Sequence, residues 1–448
     1  MLVRLYGENY GAFRDGFSLS LEATDLHSEG QRGYFEVEVR GEPKPMKLLR
    51  LAAIYGPNAS GKSTIIQAAS ALGWLVVDSG PRTQLGQTLS QYVPFKLDPN
   101  TVNKPSKLGC EVLVQVNKNK SPVRRYLQYE IVFDRQQIYS EHIKEYDGER
   151  EEFWLQREKQ EIHVPKSADR EMTVDLSSVT RANAAAISVA QQLNQSAFKS
   201  VYDELKQSLR TVLPSSSGAS TPLTSGLRET KNRMHKDAQF RDWALESLLK
   251  PADLGITDVN ILKRPAPSDF VQAVMALIPA QSRSDAIFDF DELHPKFDHA
   301  GVGGAYQLDY DEESLGTRRI FELAAFWQDI ARQSRTAFVD ELSSSLHPSI
   351  VTALLGAVNS PESEQTSQVV FTTHDTALLE SALRRDQVYL TEKNDQGIAS
   401  LYSLSDFKER KENNLRKRYL EGRYGAVPRN VDFGDVFRKD DLSHGSEE

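Results

Sequence analysis

At 448 residues, 39 % hydrophobic and 26 % charged, the chain has the composition of an ordinary soluble globular protein with room for two or three domains. A formal charge of −9 argues against coating nucleic acid over the whole surface, though not against a local basic stripe, and the single cysteine, Cys110, excludes an internal disulfide. No run of about 18 apolar residues occurs and "MLVRLYGENYGAF" lacks a signal peptide's apolar core, so a cytoplasmic protein with no membrane partner is expected.

The first 23 residues predict two short strands around a turn, with alternation in "FSLSLEA". "LLRLAAIYG" predicts a buried strand, and Lys62 opens a helix running to about Leu72. "CEVLVQV", "RRYLQYEIVFDRQQIYSEHI" and "EEFWLQ" predict a β-rich stretch with period-two patterning. From about 182 to 213, Phe198, Val201, Tyr202, Leu205, Leu209 and Val212 recur at three- and four-residue steps, the mark of an amphipathic helix. The Ser-rich stretch 214–226 predicts a loop by its composition, and a second predicted helix would place Phe240, Trp243, Ala244 and Leu248 on one face. The expected organisation is an N-terminal lobe over 1–180, a helical insertion projecting over 181–265, and a C-terminal lobe over 266–448. There "TAFVDE", "SIVTALLGAV" and "SQVVFTTHD" predict strand, helix and strand, hence a largely parallel sheet with ligands at strand C-termini.

"GPNASGKST" (56–64) meets the G-x-x-x-x-G-K-[ST] phosphate-loop pattern. Gly56 and Gly61 let backbone N–H groups wrap phosphates without Cβ clashes, Lys62 brings charge to the β- and γ-phosphates, and Ser63 offers a hydroxyl to Mg²⁺. Pro57, Asn58, Ala59, Ser60 and Thr64 complete the expected nucleotide contacts. In "TAFVDELSSSLHP" an apolar strand ends in two carboxylates. Asp340 suits a position beside Mg²⁺, and Glu341, one residue on, suits polarising a water. His374, ending the later strand, can reach the γ-phosphate. Ser314 and Gly316 in "ESLGT" precede a long amphipathic helix, where backbone N–H groups make an anion site. A second such start in one chain suits a second subunit's nucleotide.

The order "GPNASGKS", "ESLGT", "FVDELSSSLHP", "FTTHD" resembles the ABC-type ATPases of the structural-maintenance and OLD-like branch, closest to the AAA-15 group. "YLEGRYGAVPRN" also resembles that group, which includes AbiL-type and Rlo-type phage-defence ATPases. The resemblance implies an α/β P-loop fold with a mixed sheet and a helical insertion, ATP and Mg²⁺ as cofactors, Ser63 and Asp340 serving Mg²⁺, Glu341 as catalytic carboxylate and His374 as switch histidine. It further implies Ser314 and Gly316 as signature contacts across a homodimer, and Ser343–Leu346 as the loop between the two sites. The signature departs from the transporter-like Leu-Ser-Gly-Gly-Gln, and the glutamine loop has two candidates, Gln87 and Gln91.

The function expected from this pattern is an ATP-hydrolysing regulator of a bacterial anti-phage system that controls a separate nuclease, with nucleic acid or a phage-derived trigger as a further partner. A self-contained OLD-like nuclease would need more than the Asp289/Asp291 pair in "FDFDELHP". The tail after His374 is also short for an added metal-dependent domain. A DNA-clamping repair ATPase draws support from Lys408, Arg410, Lys411, Arg416, Lys417 and Arg418, diluted by Glu409 and Glu412. A transporter subunit fits least.

Overall fold

Leu51, Ala52, Ala53, Ile54 and Tyr55 are all fully buried. An unbroken apolar run is buried on both faces only at the centre of a sheet that is covered on both sides. The computed structural model describes residues 1–25, 33–118, 121–165, 172–212, 226–265, 268, 292–363, 365–381, 383–408 and 414–428.

Near the N-terminus, β1 (Leu2–Glu8) pairs antiparallel with β2 (Phe17–Ser20), as expected, and β3 (Tyr34–Val37) pairs with β4 (Met46–Leu49). The central run is β5 (Leu51–Tyr55), followed by α1 (Lys62–Val77). A long meander of β6 (Ser106–Lys118), β7 (Ser121–Phe133), β8 (Ile138–Asp147), β9 (Arg150–Glu158) and β10 (Glu161–His163) joins β1 and β2 in a seven-stranded sheet.

Next come α2 (Ala186–Gln192), α3 (Lys199–Ser208) and β11 (Arg210–Val212). This segment corrects the expectation of a projecting insertion. Ala186, Ile187, Phe198, Val201 and Leu205 lie in the same apolar cluster as Ile65, Leu72 and Leu75 of α1. The expected helix over 182–213 also stops at Ser208, because β11 pairs parallel with the strand that leads to Asp340. Period alone says that one face is buried, not against what. The close approach is made at Gly73, where a Cβ would lie 3.0 Å from the Leu209 carbonyl oxygen.

Helices α4 (Gly226–Lys236) and α5 (Ala238–Ala244), the latter extended by a π-turn at Leu245–Leu249, bury Phe240, Ala244 and Leu248 as their spacing predicts. A three-stranded antiparallel sheet follows, β12 (Ile256–Arg264), β13 (Glu292–Gly301) and β14 (Gly304–Asp309). The single long helix expected after Ser314 is two, α6 (Leu315–Glu322) and α7 (Ala324–Arg332). The Thr230 hydroxyl inserts at the break, donating to the Glu322 carbonyl at 3.3 Å and accepting from the Ala325 amide at 3.2 Å.

The remaining elements are β15 (Thr336–Val339), α8 (Pro348–Asn359), β16 (Gln368–Thr372), β17 (Val388–Lys393), β18 (Ala399–Ser403) and α9 (Leu415–Leu420). They complete a six-stranded sheet in the order β11-β15-β16-β5-β17-β18, parallel throughout except for β18. Side chains alternate across it. Ala52, Ile54, Phe338 and Val370 face the α1 core, while Leu51, Ala53, Tyr55, Val339 and Phe371 face the core built with α6 and α7. The Asp289/Asp291 pair and residues 214–225 lie outside the described residues. Among the described residues no helix is long and apolar enough to cross a membrane.

Candidate functional site

Strand β5 delivers the chain to Gly56, where φ is 153° and a Cβ would sit 2.3 Å from the Thr391 carbonyl oxygen. Only glycine fits there. The loop is tied to the neighbouring strand through Ser60 Oγ and Thr391 Oγ1, 2.5 Å apart. Gly61, at φ 112°, is the N-cap of α1, and Asn58 and Ala59 stand exposed at the crest. Thr64 packs against the turn at Gly11, where a Cβ would come within 2.4 Å of its methyl group.

Lys62 is buried, and its ammonium donates to the carbonyls of Gly56 and Pro57 at 2.9 Å each. Its pKa is pushed down by burial, against the opposing pull of Asp340 and Glu341. Ser63 Oγ donates to Asp340 Oδ1 at 3.1 Å. Strand β16, lying between β5 and β15, supplies Thr372, whose hydroxyl donates to the same Asp340 oxygen at 2.6 Å and accepts from the Glu341 amide at 2.7 Å. Glu341 follows with φ 51°, left-handed for a non-glycine residue, and its side chain is exposed. The exposed His374 lies within electrostatic range of both: partial desolvation lowers its pKa, Lys62 lowers it further, and Glu341 raises it.

The phosphate loop, Asp340, Glu341 and His374, far apart in sequence, are therefore brought to the C-terminal ends of three adjacent parallel strands. Ser314 caps α6, accepting from the Thr317 amide at 3.1 Å, and no hydrogen bond among the described residues joins it to 56–64. Ser314 and Leu315 are exposed, Leu315 at 66 %. Gly316 abuts Ser345 in the loop after Glu341.

Of the two glutamine candidates, Gln91 lines a cleft of about 1000 Å³ together with Gln67, Trp74, Arg335 and Asp340. Gln87 does not; its side-chain oxygen accepts from the Gln84 amide. The basic tail is partly committed to packing. Arg416 bonds Thr376 and Glu380 just beyond His374, and Tyr419 stacks edge-on to Tyr55 at 5.7 Å. Arg410 and Lys411 lie outside the described residues. Sequence reading missed Thr372 and Thr391, although the doubled threonine of "FTTHD" marks the first.

This donor set fits a magnesium nucleotide. Loop carbonyls now hold an ammonium that phosphate oxygens can take over, and a hydroxyl and a carboxylate stand 3.1 Å apart as a cation pair of ligands. A largely parallel sheet with such a loop and a carboxylate pair two strands away defines a phosphate-loop nucleotide-binding protein. The chain belongs to the family described as "AAA domain, putative AbiEii toxin, Type IV TA system", which matches residues 51–380. Among solved structures it is similar to the SmcHead bound to the C-winged helix domain of ScpA, at 11 % identity and TM-score 0.43, covering 90 % of this chain and 97 % of that one. It is also similar to the SMC head domain from Thermotoga maritima, at 11 % identity and TM-score 0.36, with 90 % and 98 % covered. A third likeness is to the Pyrococcus furiosus Smc head with an extended coiled coil bound to the C-terminal domain of ScpA, at 12 % identity and TM-score 0.38, with 94 % and 99 % covered. No curated protein matches the sequence at a significant level.

Proposed function

We propose that the chain hydrolyses ATP with Mg²⁺ as an ATP-clamped homodimer and is the regulatory member of a two-component, abortive-infection type defence system acting on a nuclease partner. The observation that carries the hydrolytic reading is the convergence of Lys62, Ser63, Asp340, Glu341 and His374 on one sheet edge. The exposed cap at Ser314, with no hydrogen bond to the chain's own phosphate loop among the described residues, supports the dimer.

In this reading the loop amides and Lys62 hold the phosphates, Ser63 and Asp340 hold Mg²⁺, and bound Mg²⁺ supplies charge neutralisation at the phosphates. Glu341, exposed where a second subunit would close over it, accepts the proton of the attacking water. His374, whose pKa is lowered by partial desolvation and by Lys62, offers a ring N–H toward the γ-phosphate. Closing the dimer brings Ser314 and the α6 N-terminus to the partner's nucleotide.

The defence reading rests on the family resemblance and on the wording "putative AbiEii toxin, Type IV TA system". Closure acts on a partner only if that partner binds the open and closed states with different affinity. Purified chain with Mg²⁺ or Mn²⁺ should cleave no DNA or RNA. Cells should need both this gene and its neighbour for protection or toxicity, and Lys62→Ala should abolish the effect. Nuclease activity of this chain alone, lost on changing Asp289 or Asp291, would overturn the assignment. The family description favours a second reading, in which the chain is itself the toxic member of a pair. Growth arrest on expressing it without its neighbour selects that reading.

A further inference from the structure

The peptide bond between Asp340 and Glu341 is gripped on both of its polar atoms. Its carbonyl oxygen accepts from Arg319 Nη2 at 3.2 Å, and its N–H donates to Thr372 Oγ1 at 2.7 Å. The two gripping side chains come from different elements, the signature helix α6 and the strand β16. Both are buried, Thr372 fully and Arg319 to within 8 % exposure.

We propose that Arg319 and Thr372 are positioning residues that hold this peptide, and so tie the helix beginning at Ser314 to the carboxylate pair. The inference rests on the hydrolytic reading above and deepens it.

Proton bookkeeping fixes the role of Thr372. The Glu341 amide can only donate, so the threonine hydroxyl accepts from it and must send its own proton to Asp340 Oδ1 at 2.6 Å. One side chain thereby orients both the Mg²⁺-facing carboxylate and the backbone of the residue assigned as base. That backbone needs holding, because φ 51° is sparsely populated for a residue with a Cβ and persists only where surroundings over-determine it.

Arg319 adds the link to the dimer face. Its Nη1 lies 3.6 Å from Glu322 on the same helix, and its Nε is buried without an acceptor among the described residues. Gly316, three residues earlier, presses on Ser345 beyond Glu341, so α6 touches the chain on both sides of the carboxylate base. A displacement of α6 when Ser314 engages the partner's nucleotide therefore reaches Glu341 through backbone contacts.

The test uses the full chain with Thr372→Val, Thr372→Ser, Arg319→Met and Arg319→Lys, reading the affinity for a fluorescent ATP in EDTA, its Mg²⁺ dependence, and turnover. Thr372→Val should leave EDTA affinity within about twofold, raise the Mg²⁺ concentration at half-effect about tenfold, and lower kcat at least about tenfold. Serine should restore both. Arg319→Met should leave affinity and Mg²⁺ dependence unchanged and lower kcat about tenfold, with partial recovery in Arg319→Lys. Wild-type kcat in both Thr372→Val and Arg319→Met overturns the proposal, as does a kcat loss matched by an equal loss of EDTA affinity. A wild-type chain that binds but never hydrolyses ATP would sink the hydrolytic reading instead. The Mg²⁺ shift in Thr372→Val then decides the Thr372 grip by itself.

Discussion

Gly316 and Ser345 meet backbone to backbone: a Cβ added at Gly316 would lie 2.9 Å from the Ser345 carbonyl oxygen. Any substitution at Gly316 thus pushes on the loop after Glu341 within its own subunit, and cannot separately report a contact across a dimer. Ser314 is the cleaner probe. It is exposed, and its side chain is used to cap α6. Aspartate caps as well as serine, whereas alanine costs about 0.5–2 kcal/mol. Ser314→Asp should therefore keep the helix while setting a carboxylate against the partner's γ-phosphate. In a Glu341→Gln background with Mg²⁺-ATP, sedimentation should show a dimer, and adding Ser314→Asp should return it to the nucleotide-free mass. A dimer that survives this change removes the cross-subunit role.

Lys62 and Glu341 should fail in different ways. Lys62 is buried in the loop with both acceptors being loop carbonyls, so Lys62→Ala removes the phosphate's counter-charge and lowers ATP affinity by at least about tenfold. Glu341 is exposed, and its backbone rather than its carboxylate is anchored by Thr372. Glu341→Gln should bind ATP like the wild type and reduce turnover about a hundredfold or more. Equilibrium binding and single-turnover hydrolysis separate the two, and wild-type turnover in Glu341→Gln would falsify the assignment of the base.

The pKa of His374 is lowered by partial desolvation, then by the positive charge of Lys62, and is partly restored by Glu341. The signs fix what substitutions do. Removing Lys62 takes away a like charge, so Lys62→Ala should raise the pKa. Removing the Glu341 charge with glutamine should lower it further. Because the folded-state pKa lies below the unfolded value of about 6.5, this histidine's contribution to stability is full above that value and is lost as pH falls from there through the lower folded-state pKa. A ¹H–¹⁵N titration of the ring in the three proteins measures this. An unchanged value in Glu341→Gln would show that the two side chains are not within range.

Much of this site can be read in the sequence because phosphate binding imposes local geometry. Gly56 and Gly61 adopt positive φ, so their spacing is dictated by the loop itself. Asp340 was legible for a similar reason, since an apolar strand must end where a polar ligand begins. The doubled threonine of "FTTHD" marks Thr372 as polar at a strand end, but not its role, because that role is to touch Asp340 and Glu341 and sequence carries no record of which strands are neighbours. The same limit explains the segment 181–212. Phe198, Val201 and Leu205 announce a buried face, but that the face packs on α1, and that Arg210–Val212 then joins the parallel sheet, are tertiary facts. The break between α6 and α7 was hidden too, since it depends on Thr230 from a helix nearly a hundred residues earlier.

That segment is held by a charge pair with no exposure at all, and its removal offers a test of how tightly it belongs to the body. Glu141 on β8 and Arg157 on β9 are both 0 % exposed, 3.5 Å apart. Glu141 accepts from the amides of Ala186 and Ile187 at the start of α2, at 2.6 and 3.1 Å, and from the Tyr129 hydroxyl at 3.1 Å. Arg157 donates to the carbonyls of Ala184 and Arg181 at 2.6 and 3.2 Å. Burial pushes the Arg157 pKa down while Glu141 opposes that shift. Glu141→Leu would leave a guanidinium and two helix-start amides in a dry site without their partner, which should cost about 3–5 kcal/mol. Glu141→Gln keeps an acceptor for the amides and should cost less. Joining Glu141→Leu to Arg157→Met removes both charges, so the double change should cost less than the sum of the two single ones. Urea denaturation of Glu141→Leu, Glu141→Gln, Arg157→Met and the double variant gives the four values. A loss below about 1 kcal/mol for Glu141→Leu would mean that α2 is not anchored through this pair.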